Sequence, residues 1–168
     1  SSYEDTDKEV EHKLEQLYTE GLAAFYTEEW DKACQRFQMI LSEHPNHKNA
    51  AEKMTEAEKQ RSLAKLYAQA AQGHKAENWS ETIQALEELL QKSAEYKDAA
   101  QLLRNAKKQK RLKELYAEAK ALHAAQKWQA VLKVFEQIFL IEHSYPDSDS
   151  LLASARKEVA ELQRLSIL

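Results

Sequence analysis

Residues 17–30 read LYTEGLAAFYTEEW, residues 66–79 read LYAQAAQGHKAENW, and residues 115–128 read LYAEAKALHAAQKW. Each stretch opens on a Leu-Tyr pair, closes on a Trp, and stands 49 residues from the next. Trp30, Trp79 and Trp128 are the only Trp residues in the chain, so their shared spacing marks an internal repeat. Other columns keep step: small residues at Gly21, Ala70 and Ala119, then large apolar ones at Phe37, Leu86 and Phe135 and at Ile40, Leu89 and Ile138. Late columns hold only between the second and third units. Tyr96 matches Tyr145 and Leu102-Leu103 match Leu151-Leu152, where the first unit has His47 and Lys53-Met54.

Within a unit the apolar residues recur at three and four. Leu14, Leu17, Tyr18, Gly21 and Phe25 form one helical stripe, and Ala33, Phe37, Ile40 and Leu41 form a second after Trp30. Breaks fall at residues 44–47, where Pro45 disfavours helix before it and Asn46 is placed to cap the next, and near residues 93–96 and 144–147. The spacing predicts seven antiparallel helices, alternately long and short, over 5–27, 30–43, 47–76, 79–92, 96–126, 128–143 and 147–165. Gly73 interrupts the third and marks a place to expect a kink.

Composition agrees. Average usage puts roughly 20 Gly and Pro in a chain of this length. This one has two of each in 168 residues, too few turn signals for a sandwich or barrel, and it is rich in strong helix formers. The reading is all-α. A net charge of −4 supplies no cationic field for nucleic acid, and no apolar run approaches a membrane span. The lone Cys34 has no intrachain disulfide partner, which fits a reducing cytoplasm. The missing initiator Met suggests a segment of a larger protein.

Around each Trp the sequence resembles the tetratricopeptide repeat family, whose two-helix unit has a small residue in the first helix, an aromatic opening the second, and a closing Pro. Gly21, Trp30, Ala33, Phe37, Ile40 and Pro45 match that order. The second unit has Thr82 and Ala94 at the small and Pro positions, and the third has Val131 and His143. The turn Gly common in the family is replaced by Glu28, Glu77 and Gln126. The 49-residue period exceeds the family's ~34, so the first helix of each pair is longer. The resemblance implies a right-handed α-α superhelix or solenoid, read as a single repeat domain with units of about 17–65, 66–114 and 115–163. Residues 1–16 then extend the first helix.

The resemblance also implies a function: a non-catalytic protein-protein interaction module that presents a groove lined by the first helices of the repeats to a protein or peptide ligand. Matching ligand-facing positions are Tyr18, Leu22, Phe25 and Tyr26, then Tyr67, His74 and Lys75, then Tyr116, Lys120 and His123. The Tyr and Phe25 columns also lie near the packing stripe, so core packing and ligand contact both stand open for them, with packing favoured. The Trp column reads as buried packing at the helix junctions. The paired Lys, Arg and Asn clamp with which some members grip chaperone tails is not evident, because Lys113 is the only well-placed cation.

Arg104, Lys107, Lys108 and Arg111 share one helix face, a stripe that reads first as a solvated surface and second as a contact for an acidic partner. No aromatic residues interleave with these cations, which argues against nucleic acid. Residues 1–30 carry nine acids against two Lys, so an acidic first unit meeting the stripe of another copy is a route to self-association. The alternative function is a structural spacer or oligomerisation module of a larger protein, and the apolar Leu165-Ser166-Ile167-Leu168 reads as a continuation or an interface edge.

An enzyme is disfavoured. Two isolated Gly residues do not make a phosphate-binding loop. Glu9-x-x-His12 lacks the second pair that a di-iron bundle needs, and His44-x-x-His47 lacks further zinc ligands, so no metal and no cofactor are expected. Cys34 lies among Ala33, Phe37 and Leu41, a setting for a small buried thiol rather than a nucleophile.

Overall fold

A computed structural model of the chain describes residues 2–167, which form seven α-helices and, among the described residues, no strand. They are α1 (Ser2–Tyr26), α2 (Trp30–Leu41), α3 (Ala50–Lys75), α4 (Trp79–Lys92), α5 (Ala99–Ala124), α6 (Trp128–Ile141) and α7 (Leu151–Ile167). Long helices of 25, 26 and 26 residues alternate with short ones of 12, 14 and 14, as the 49-residue period predicts. Leu168, the last residue of the apolar C-terminal run, and Ser1 lie outside the described residues.

The three long helices end in the same way. After α1, Glu29 N–H reaches back to the Ala24 carbonyl at 2.8 Å and Glu28 N–H to Phe25 at 3.3 Å. The same pair of bonds runs from Asn78 and Glu77 to Gly73 and His74, and from Lys127 and Gln126 to Leu122 and His123. This is the Schellman arrangement, and it requires a left-handed residue just past the helix. Glu28, Glu77 and Gln126 take that conformation, with φ of 60°, 55° and 58°. These are the positions where the resembled family places its turn Gly.

Helix starts depart from the sequence reading. α3, α5 and α7 begin at Ala50, Ala99 and Leu151 rather than at 47, 96 and 147, because turns with left-handed residues at Lys48, Lys97 and Ser150 occupy the first positions. Asn46 is accordingly too far upstream to cap α3. The repeat register survives the shift: Ala57, Ala106 and Ala155, each 49 residues apart, are all fully buried. α7 thus begins one turn later relative to that column. α1, by contrast, begins earlier than expected, at Ser2.

The chain divides into two compact units, the first comprising residues up to Gln69 with Gln91–Ser93, the second Ala70–Leu90 with Ala94 onward. In the first, α1 packs on α2 across the turn at 27–29, and Ala33, Cys34, Phe37 and Ile40 meet Ala24, Ala50 and Ala57. A Cβ on Gly21 would lie 2.7 Å from the Phe37 ring, so Gly is what lets that ring close onto α1. Arg36 of α2 binds Glu20 of α1 at 2.6 Å, and this bond holds the Glu20 carboxyl below its ordinary pKa. In the second unit Leu112, Leu115 and Ala119 of α5 pack with Val131, Phe135 and Ile138 of α6 and with Leu151 and Ala155 of α7. Phe37 and Phe135 occupy one repeat column, and burial of each contributes ~1.5–3 kcal/mol.

α3 runs unbroken through Gly73. The residue serves contact instead: a Cβ there would lie 2.5 Å from Thr82 Oγ1 on α4. The chain therefore uses both of its glycines for close helix approach and neither for its turns.

Candidate functional site

The Tyr column turns inward. Tyr18 is half-buried, its ring edge-on to Phe37 at 6.3 Å and to His47 at 5.9 Å, and its hydroxyl donates to Asn49 Oδ1. Tyr116 repeats this against Phe135 at 6.1 Å, and its hydroxyl bonds Asp147 at 3.0 Å and Asp149 at 2.9 Å while accepting the Asp149 N–H. Burial first, then the two carboxylates, pushes the Tyr116 hydroxyl up to about 12. Tyr67 is likewise half-buried. Burial also raises the pKa of the neighbouring Tyr145 hydroxyl.

Two helical turns on, Phe25, His74 and His123 each meet their unit's Trp edge to face, at centroid distances of 5.3, 5.3 and 5.0 Å. Such pairs contribute ~0.5–1.5 kcal/mol beyond area burial. His123 also bonds Ser154 Oγ of α7 at 2.9 Å, whereas His74 is exposed. All three Trp residues are half-buried rather than buried: one part of each indole packs and another remains wet.

Of the remaining first-helix candidates, Leu22 packs against the core of the first unit. Tyr26 is 69% exposed, although Lys53 donates to its hydroxyl at 3.1 Å and sits over the Phe25 ring at 4.4 Å. Lys75 is exposed, and Lys120 approaches Asp149 at 3.8 Å. The basic stripe is largely neutralised within its own unit. Lys107 pairs with Glu87 at 3.4 Å, Lys108 with Glu142 at 3.0 Å and Arg111 with Glu114 at 3.9 Å, leaving Arg104 without a carboxylate partner among the described residues.

A different surface emerges where each Trp meets the long helix that follows it. Trp30 with Arg61 and Ala64, Trp79 with Lys110 and Lys113, and Trp128 with Val159 and Leu162 line three open clefts of about 980, 490 and 430 Å³. The lining positions repeat at 49, but their chemistry changes. The first cleft is crowded with charge, including Glu28, Asp31 and Arg61; the second sets Lys110 and Lys113 against Glu77 and Glu114; the third is mainly apolar. The first-helix columns do not point to these clefts; the signal for them lies in the columns 61/110/159 and 64/113/162, which keep the same period.

Comparison with protein families, with curated proteins and with solved structures finds no match to this chain.

Among the described residues no three His, Cys, Asp or Glu side chains are grouped to hold a metal, and no helix is long and apolar enough to cross a membrane. The His47 ring sits edge-on to Tyr18. Burial raises the pKa of the Cys34 thiol, which holds it in the protonated, weakly nucleophilic form.

Proposed function

We propose that the chain is a non-catalytic protein-interaction module, a divergent tetratricopeptide-like array that recognises protein or peptide segments. The observation that carries this reading is the set of Trp-floored clefts, in which a constant scaffold column presents linings that differ from unit to unit. Half-exposed Trp in a cleft is a residue type enriched at binding hot spots. Conserving the frame while varying the lining is how helical repeats build recognition surfaces. The first-helix residues Tyr26 in the first unit and His74 and Lys75 in the second are exposed and stay available, each in its own unit, for ligand contact.

Panning a random peptide library on the immobilised chain tests the reading. Enriched peptides are expected to lose about tenfold or more in affinity on Leu162→Asp or Lys113→Glu with the unfolding midpoint unchanged. If they lose affinity on Tyr26→Ala or on Lys75→Ala instead, the first-helix residues of that unit are the site. No enrichment, or binding indifferent to both sets, overturns the reading.

A spacer or oligomerisation role is favoured by a separate observation. The Tyr18 and Tyr116 rings and hydroxyls are spent within their own units, and the exposed apolar residues include Tyr3 and Val10 of α1 and Leu162, Leu165 and Ile167 of α7.

A further inference from the structure

The packing face of α1 continues beyond its contacts. Val10, Leu14, Leu17, Gly21 and Ala24 follow one another at three and four residues, with Tyr3 seven residues before Val10 on the same face. Yet every residue from 2 to 13 is exposed, Tyr3 by 83% and Val10 by 41%. Asp7 lies on this face between the two apolar residues, in a stretch where acids outnumber Lys. A helical stretch of three turns without packing is marginal in water, so a partner that covers this face also stabilises the helix.

The Trp128 cleft has the complementary character. Its apolar walls are Trp128, Val159 and Leu162, and of the described residues lining it Lys127 alone is charged. Leu162, Leu165 and Ile167 nearby on α7 are exposed by 56%, 52% and 85%. In the other two Trp clefts carboxylates match or outnumber the cations, Glu28 and Asp31 among those of one and Glu77 and Glu114 against Lys110 and Lys113 in the other, so neither presents a net positive wall to an acidic segment.

We infer that the Trp128 cleft receives residues 2–13 of a second copy of this chain, with Tyr3 and Val10 against Trp128 and Leu162 and with Asp7 facing Lys127. This rests on the interaction-module reading and names its partner. The donor lies on α1 and the acceptor on α6 and α7, so the contact joins two different surfaces and extends head to tail. It replaces the basic stripe as the acceptor, because the stripe is neutralised by Glu87, Glu142 and Glu114.

Sedimentation velocity of the full chain tests this. Its mass is expected to rise with concentration, and Val10→Asp and Leu162→Asp are each expected to weaken association by about tenfold or more. Both positions are exposed, and an unchanged thermal midpoint verifies folding. A mixture of the two variants keeps one intact donor and one intact acceptor, so it is expected to form dimers and nothing longer. A wild-type monomer at every concentration, a mixture that stays monomeric, or association that survives either substitution overturns the inference. If library peptides still bind such a monomer at a Trp cleft or at the first-helix residues, this inference alone fails; if none is enriched, the interaction reading fails with it.

Discussion

Glu28, Glu77 and Gln126 place side chains in left-handed backbone, where L-residues pay ~1–2 kcal/mol that Gly avoids. Glu77→Gly is therefore expected to stabilise the fold by ~0.5–1 kcal/mol in urea unfolding, after the unfolded-state entropy of Gly is subtracted. Gly73→Ala should do the reverse. Helix propensity favours Ala by ~1 kcal/mol, but the new Cβ would meet Thr82 Oγ1 at 2.5 Å, and overpacking costs ~1–3 kcal/mol. Adding Thr82→Ala removes that oxygen and should restore most of the loss; failure to do so would place the cost elsewhere. Tyr116 supplies a pH test. Its folded pKa of about 12 lies above the unfolded value near 10, so the neutral hydroxyl is favoured by folding. The associated stability is complete below about pH 10 and is lost as pH rises through about 12. Denaturant midpoints of wild type and Tyr116→Phe should differ in slope across that window, wild type falling more steeply.

At the scale of the element, α7 shows how a tertiary contact moves a helix boundary. Asp147 accepts the Leu151 N–H at 2.9 Å and the Leu152 N–H at 2.8 Å, meeting donors that the first turn leaves unpaired, and it also receives the Tyr116 hydroxyl from α5. Asp147→Ala should cost ~1–2 kcal/mol and raise hydrogen exchange at the Leu151 and Leu152 amides. Equal protection in both proteins would remove the capping role. Sequence periodicity located all seven helices because the stripes recur at three and four residues. It missed the starts of α3, α5 and α7 by three or four residues, because turn chemistry at Lys48, Lys97 and Ser150 competes locally with helix there. The Tyr hydroxyl contacts keep the period once formed: Tyr18 to Asn49 and Tyr116 to Asp147 both span 31 residues.

Across the whole molecule, each unit has its own core, with Phe37 central to one and Phe135 to the other. Phe135→Ala should destabilise by ~3–5 kcal/mol. Because repeat stability is approximately a sum of local terms, amide exchange should rise in α5 to α7 while α1 and α2 keep most of their protection. A uniform loss of protection would show one cooperative body instead. The all-α class, the 49-residue period and most core columns were legible in the chain, since they follow from propensity and from which residues recur at helical spacing. Phe37, Ile40, Phe135 and Ile138 stand in the repeating apolar columns and are all buried. The surface was not legible in this way. Tertiary packing alone decided that the Tyr hydroxyls of Tyr18 and Tyr116 are engaged internally, that the basic stripe finds carboxylates at Glu87 and Glu142, and that each Trp leaves part of its indole in an open cleft. Helical periodicity reports which face of one helix is apolar; what a side chain on that face meets depends on another helix whose approach no local pattern encodes.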